Sequence, residues 1–240
     1  MSARKWLKQA TELAFTQPVV LIPWGVFWLV AFLGAIFTAR WGPAAIAPNL
    51  VDLFLWLGVN AWASAASLEF LRGLAGGGAP RGREVLRQGL RQTPRLIALY
   101  LAILLLLGIA LGLPALLLLV ARGSLGALIL VSLGLFVWFV FLWTRLALAE
   151  AAVILGDATL AEALRHSWSL TRAAFLPILG LLFLATLAGA ALGLMSLALG
   201  PAFTAFSSAL WTYTVTVGAG YAYMELRRAQ EPPAAPEPTE

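Results

Sequence analysis

Long apolar runs, parted by short turns and by longer charged connections, organise the chain. Runs able to cross about 30 Å of hydrocarbon at about 1.5 Å per residue fall near residues 18–38, 50–72, 95–120, 125–149, 173–198 and 204–227. They come in pairs. Trp41-Gly42-Pro43, Ala121-Arg122-Gly123-Ser124 and Gly200-Pro201 supply the turns within pairs, while 73–94 and 150–172 are longer and charged. The pattern predicts an all-α, polytopic transmembrane helix bundle of about six spans.

A short motif recurs ahead of the first, third and fifth spans. It reads Trp6-Leu7-Lys8-Gln9-Ala10, Val85-Leu86-Arg87-Gln88-Gly89 and Ala163-Leu164-Arg165-His166-Ser167, with the leucines 79 and 78 residues apart. Each copy has an apolar residue, Leu, a base, an amide or imidazole, and a small residue. This predicts three repeats of an amphipathic interfacial helix plus a transmembrane hairpin, over about 1–72, 73–149 and 150–228. Together they form one membrane domain, 1–228, followed by a Pro- and Glu-rich tail, 229–240, expected to be a disordered cytoplasmic end.

The third amphipathic segment is the most legible. Thr159 and Glu162 have capping-box spacing. Leu160, Leu164 and Trp168 follow at i, i+4 and i+8, and Glu162, Arg165, His166, Ser169 and Arg172 take the other side. In the second segment Arg83, Arg87 and Arg91 form a basic stripe opposite Leu86 and Leu90. Such helices are expected at the cytoplasmic interface, apolar face in the acyl chains. Arg83, Arg87, Arg91, Arg165, Trp168 and Arg172 are thus candidate contacts for anionic lipid or a protein partner.

The bases also set orientation. Fourteen of the 16 lie before the first span, around the two long connections, or after the last span, leaving Arg40 and Arg122 for the opposite side. Lys and Arg are retained on the cytoplasmic face, so both ends are expected there. Arg4, Lys5 and Lys8 before an apolar run resemble a signal peptide, but the run exceeds an h-region of about 7–15 residues. Pro48 would also follow the only plausible cleavage site, so a retained first span is expected.

Composition agrees. With 61% hydrophobic and 11% charged residues, the chain has too little polar surface to coat a water-exposed domain. The formal charge of +5 is spread through juxtamembrane segments, which fits anionic lipid better than nucleic acid. The chain has no cysteine, which excludes disulfides, thiolate metal sites and cysteine nucleophiles.

Ionisable residues at membrane depth are costly and usually paired. Glu69 and Arg145 each lie eight residues to the cytoplasmic side of their span midpoints, and Arg72 and Glu150 slightly further in. This predicts that spans two and four are neighbours joined by Glu69–Arg145, with Arg72–Glu150 as a looser pair. Asn60, Thr212, Tyr213, Thr216 and Glu225 are candidate lining of a polar path or hydrogen bonds between helices. Gly108/Gly112 and Gly189/Gly193 read as packing faces, and Trp6, Trp41 and Trp168 as interfacial anchors.

Catalytic chemistry is not evident. The single histidine, His166, sits on a solvated helix face, and Gly76-Gly77-Gly78 lacks the Lys-Ser/Thr ending of a phosphate loop. Neither an enzyme nor a cofactor or metal site is expected.

The stretch from Arg145 to Phe175 carries a resemblance. Arg145-Leu146-Ala147-Leu148-Ala149, Val153, Gly156, Glu162-Ala163-Leu164-Arg165 and Ser167-Trp168-Ser169-Leu170-Thr171-Arg172 resemble the membrane-domain family found beside glycerophosphoryl diester phosphodiesterase domains. The Gln17-Pro18 start of the first span is similar too. The resemblance implies a multi-span domain of the bacterial plasma (inner) membrane. No segment is long enough to be the catalytic barrel, so this would be the membrane half alone. The expected role is a non-enzymatic membrane domain that interacts with lipid or supports a partner. The alternative is a transporter or lipid-translocating protein, which a polar cavity from Asn60 to the Thr-rich face of span six would favour.

Overall fold

The computed structural model describes residues 2–41, 46–78, 80–120 and 124–230. The turns expected around Gly42-Pro43 and at Ala121-Arg122-Gly123, and the tail from residue 231, lie outside these. The described regular structure is helical: α1 (Ala3–Thr16), a 3₁₀ turn (Pro18–Leu21), α2 (Ile22–Trp41), α3 (Ile46–Ala75), α4 (Gly82–Val120), α5 (Leu125–Leu146), α6 (Ala149–Leu155), α7 (Leu160–Ala173), α8 (Phe175–Leu199) and α9 (Pro201–Gln230).

Among the described residues, four segments are long and apolar enough to cross a membrane: Pro18–Ile36, Gly82–Gly112, Leu125–Leu155 and Phe175–Met195. Between 6% and 28% of each is buried, so their side chains mostly face outward, where lipid would meet them. α3 and α9, 30 residues each, are equally long but not among the four. Their position explains why. α3 packs against α2, α4 and α9, and α9 also against α1, α2 and α8. Residues 63–71 of α3 are all buried, as are Tyr213, Thr216–Gly220 and Tyr223 of α9. A helix screened by others can carry Ser, Thr, Asn and Tyr, provided they find hydrogen bonds.

Two of the three motif copies lie on separate amphipathic helices, α1 and α7. The expected break before span three is absent: residues 82–120 form one helix, and the interfacial stretch runs straight into the apolar run. Even so, the copies share one burial pattern. The first and last positions are buried (Trp6 and Ala10, Val85 and Gly89, Ala163 and Ser167), while Lys8, Arg87 and Arg165 are exposed. The small last residue has a packing reason in the second copy. A Cβ on Gly89 would come within 2.8 Å of the Ala66 backbone, so α3 and α4 can approach only because it is glycine.

This packing corrects several expectations. Trp6 is fully buried and donates its indole N–H to Glu225 at 2.8 Å, so it is a core residue rather than an interfacial anchor. On α7 the stripe packed into the protein is Ala163, Ser167, Leu170 and Thr171, which leaves the apolar line of Leu160, Leu164 and Trp168 less buried beside it. The small residues allow close approach to α6, and Trp168 is left 41% exposed. A Cβ on Gly108 or Gly112 would meet none of the described residues within 4 Å, so neither glycine is a packing face against them. At Gly189 a Cβ would meet Trp211 at 2.8 Å, as a packing face requires.

Candidate functional site

Asn60 and Ser64 are one turn apart on α3, with Trp56 a turn earlier, so all three share a face. That face meets Tyr100 of α4 and Thr216 of α9. The Tyr100 hydroxyl donates to Ser64 Oγ at 3.2 Å, Asn60 Nδ2 donates to Tyr100 Oη at 3.5 Å, and the Ser64 and Thr216 hydroxyls are 3.4 Å apart. Polar groups of three helices thus bond to one another here, with Asn60 Oδ1 left without a partner.

Glu150 joins this cluster through a break in the backbone. α5 stops at Leu146, and Leu148 (φ −96°, ψ 0°) interrupts the helix before α6 begins at Ala149. Ser167 of α7 bridges the gap: its Oγ accepts from the Leu148 N–H at 3.2 Å and donates to the Arg145 carbonyl at 2.7 Å. The freed backbone groups are therefore satisfied inside the bundle, as a broken helix in a membrane requires. The break lays α6 against α3, α4 and α9. The Glu150 carboxylate then lies within hydrogen-bonding reach of the Tyr100 and Ser64 hydroxyls.

A cavity of about 220 Å³ adjoins the cluster. Asn60, Tyr100, Glu150, Thr212 and Thr216 give it a polar side. Leu57, Ile103, Leu107, Leu146, Leu182 and Val215 make the remainder apolar, with Trp56, Trp143 and Trp211. Trp56 (40% exposed), Leu104 (58%) and Trp143 (38%) reach the outer surface, so the cavity opens sideways between helices. Two acceptors in it lack partners: Asn60 Oδ1 and Glu150 Oε2. Among the described residues no Lys or Arg lines it.

The expected ion pairs are not those formed. Glu69 is bonded to Arg72 of its own helix at 3.3 Å, and Arg72 reaches Asp157 at 3.1 Å rather than Glu150. Arg145 turns away from α3. Its guanidinium lies 5.0 Å from the Phe141 ring, 5.1 Å from Trp168 and 5.5 Å from Phe175, and it donates to the Trp168 carbonyl at 3.3 Å. Spacing along each span carried no information on helix rotation, and rotation selects the partners.

Of the expected polar lining, Asn60, Thr212 and Thr216 border the cavity. Tyr213 instead donates to the Ala10 carbonyl at 2.8 Å, and Glu225 pairs with Lys5 at 3.1 Å, so both tie α1 to α9. Arg83, Arg87, Arg91, Arg165 and Arg172 are exposed, away from the cavity. Tyr100, Ser64 and the three cavity tryptophans were not anticipated. Tyr100 carried a usable signal, as the one strongly polar side chain in the apolar run of α4. Among the described residues no group of His, Asp and Glu could hold a metal.

No curated protein and no solved structure matches the chain. One family model does, over residues 1–224, and its description is a domain of unknown function. The chain belongs to that family, DUF7847.

Proposed function

We propose that the chain is a non-enzymatic, lipid-interacting protein of the bacterial inner membrane that takes the apolar part of an amphiphile into its lateral cavity. The cavity carries this reading: an apolar slot open to the bilayer side, with hydrogen-bonding groups on one side only. Such a division suits a molecule with a chain and a head. The proposal includes six spans, with α3 and α9 as the inner two, and three repeats. The shared burial pattern of the motif copies supports the repeats. The distribution of bases supports cytoplasmic ends, and would place the exposed Arg83, Arg87, Arg91, Arg165 and Arg172 against anionic lipid. The same surface would serve the soluble partner that the resemblance of residues 145–175 implies.

Native mass spectrometry after mild extraction tests the binding reading. The wild type is expected to retain a bound amphiphile, and a variant with the cavity filled by Leu107→Phe and Val215→Phe to lose most of it. Equal retention by folded wild type and variant rejects the cavity as the site. A second reading, movement of the amphiphile across the bilayer, is favoured by the backbone break at Leu148 beside the cavity, because broken helices are where transporters bind and rearrange. Flux into proteoliposomes that disappears in the filled variant supports it; amphiphile bound without flux rejects it.

A further inference from the structure

We propose that the amphiphile is a single-chain alkylamine, seated with its protonated amino group against Glu150 and Asn60. This rests on the binding reading above and names the chemical class of its ligand. The first argument concerns hydrogen-bond supply. Asn60 Oδ1 and Glu150 Oε2 are both buried acceptors without a donor, and both residues are within reach of the Tyr100 hydroxyl. That hydroxyl has one proton and directs it at Ser64, the Ser64 hydroxyl meets that of Thr216, and neither orphan oxygen receives a hydrogen bond. An ammonium head brings three N–H donors to one point.

The second argument is charge. Glu150 is the one carboxylate among the described residues that line the cavity, and the nearest basic residue along its chain segment, Arg145, is held among three rings. A carboxylate enclosed by apolar walls is stabilised either by a proton or by a paired cation, and an ammonium head supplies the second. A phosphate-bearing head would find no base in the lining. The volume of about 220 Å³ falls below the range of about 300–1,000 Å³ typical of drug-sized sites, which suits one alkyl chain rather than a two-chain lipid.

The test is equilibrium binding of radiolabelled decylamine, decanol and decanoate to the full chain in lipid nanodiscs, corrected for partition into empty nanodiscs. Decylammonium is expected to bind saturably at one site, about tenfold or more tighter than decanol, the worth of a charge-assisted hydrogen bond. Decanoate is expected not to bind saturably. Glu150→Gln should bring decylammonium and decanol within about twofold of each other. The wild-type comparison stands without any variant, and Asn60→Leu offers a second if Glu150→Gln does not fold. Equal binding of decylammonium and decanol overturns the alkylamine assignment and leaves the amphiphile reading standing. Saturable binding of none of the three, with water as the sole occupant, overturns both.

Discussion

A guanidinium among three aromatic rings needs no carboxylate to be stable away from water. The rings supply their negative faces, and the planar group stacks on them while its N–H groups still reach a carbonyl. Arg145 uses Phe141, Trp168 and Phe175 in this way, which joins α5 to α7 and α8. Arg145→Lys keeps the charge but loses the flat surface, and is expected to cost about 1–2 kcal/mol in detergent unfolding. Exchanging Glu69 and Arg145 should worsen either single reversal rather than repair it; recovered expression in the double reversal would restore the ion pair first expected between them. Glu162 is a different case, exposed and bonded. The Thr159 N–H and hydroxyl donate to it at 2.9 and 2.7 Å, and these bonds hold its carboxyl below its ordinary value of 4.5. A carboxylate with a lowered native pKa stabilises α7 above the unfolded value, and that contribution fades as pH falls through the native one. The protection factors of the amides from Ala163 to Ser167, taken relative to intrinsic exchange at each pH, should therefore fall below about pH 4.5. Thr159→Ala should raise their opening about fivefold at neutral pH, the equivalent of a lost N-cap.

Among the elements, the helices that could be read directly from the chain are those whose own surface meets lipid. α2, α5 and α8 are apolar on nearly every side, and hydropathy alone marks them. The positions of α6 and α4 were harder to see, for opposite reasons. Ala149–Leu155 continues an apolar run without a proline or glycine, and its separation from α5 depends on Ser167, which is 22 residues from Arg145 and adjacent only in the fold. In α4 the change from basic to apolar residues suggested a boundary, yet polarity can change along a helix without interrupting its hydrogen bonds. The α3/α4 contact gives a direct test of this packing. Gly89→Val would press a branched side chain on the Ala66 backbone, which cannot yield as a side-chain tip would, and is expected to cost about 1–3 kcal/mol. The connection from α6 to α7 behaves differently. Asp157 has φ 50° and joins Arg72 and Arg95 at 3.1 and 3.6 Å, but its side chain is 66% exposed. Solvent screens such pairs, so Asp157→Asn, which tolerates the same backbone, should change stability by no more than about 0.5 kcal/mol. Asp157→Val should cost about 1–2 kcal/mol. If Asn proves as damaging as Val, the ion pairs rather than the backbone conformation hold this turn.

The whole molecule arranges polarity from inside outward, the reverse of a water-soluble fold. α3 and α9 carry hydrogen-bonding side chains in the interior, and the exposed faces of α2, α4, α5 and α8 carry Leu, Ile, Phe and Trp. The cavity lies where the two zones meet, so one end of a bound molecule can stay in lipid-like surroundings while the other reaches Glu150. A site of this kind is only half visible in a sequence: the polar residues stand out, but the space between helices depends on how six of them cross. Orientation, by contrast, is carried by charge counts and is open to a clean experiment because the chain has no cysteine. Under the proposed topology Gly77, in the turn after α3, faces the cytoplasm, and Ser124, which caps α5 by accepting from the Ala127 N–H at 3.3 Å, faces outward. A single cysteine at Ser124 should react with a membrane-impermeant maleimide in intact spheroplasts, and one at Gly77 only after permeabilisation. The difference should be complete, because retention of arginines on the inner face acts during insertion and fixes each loop on one side. Labelling of Gly77→Cys in intact spheroplasts would invert the bundle, placing the exposed arginines of α4 and α7 outside and removing the cytoplasmic lipid surface from the proposal.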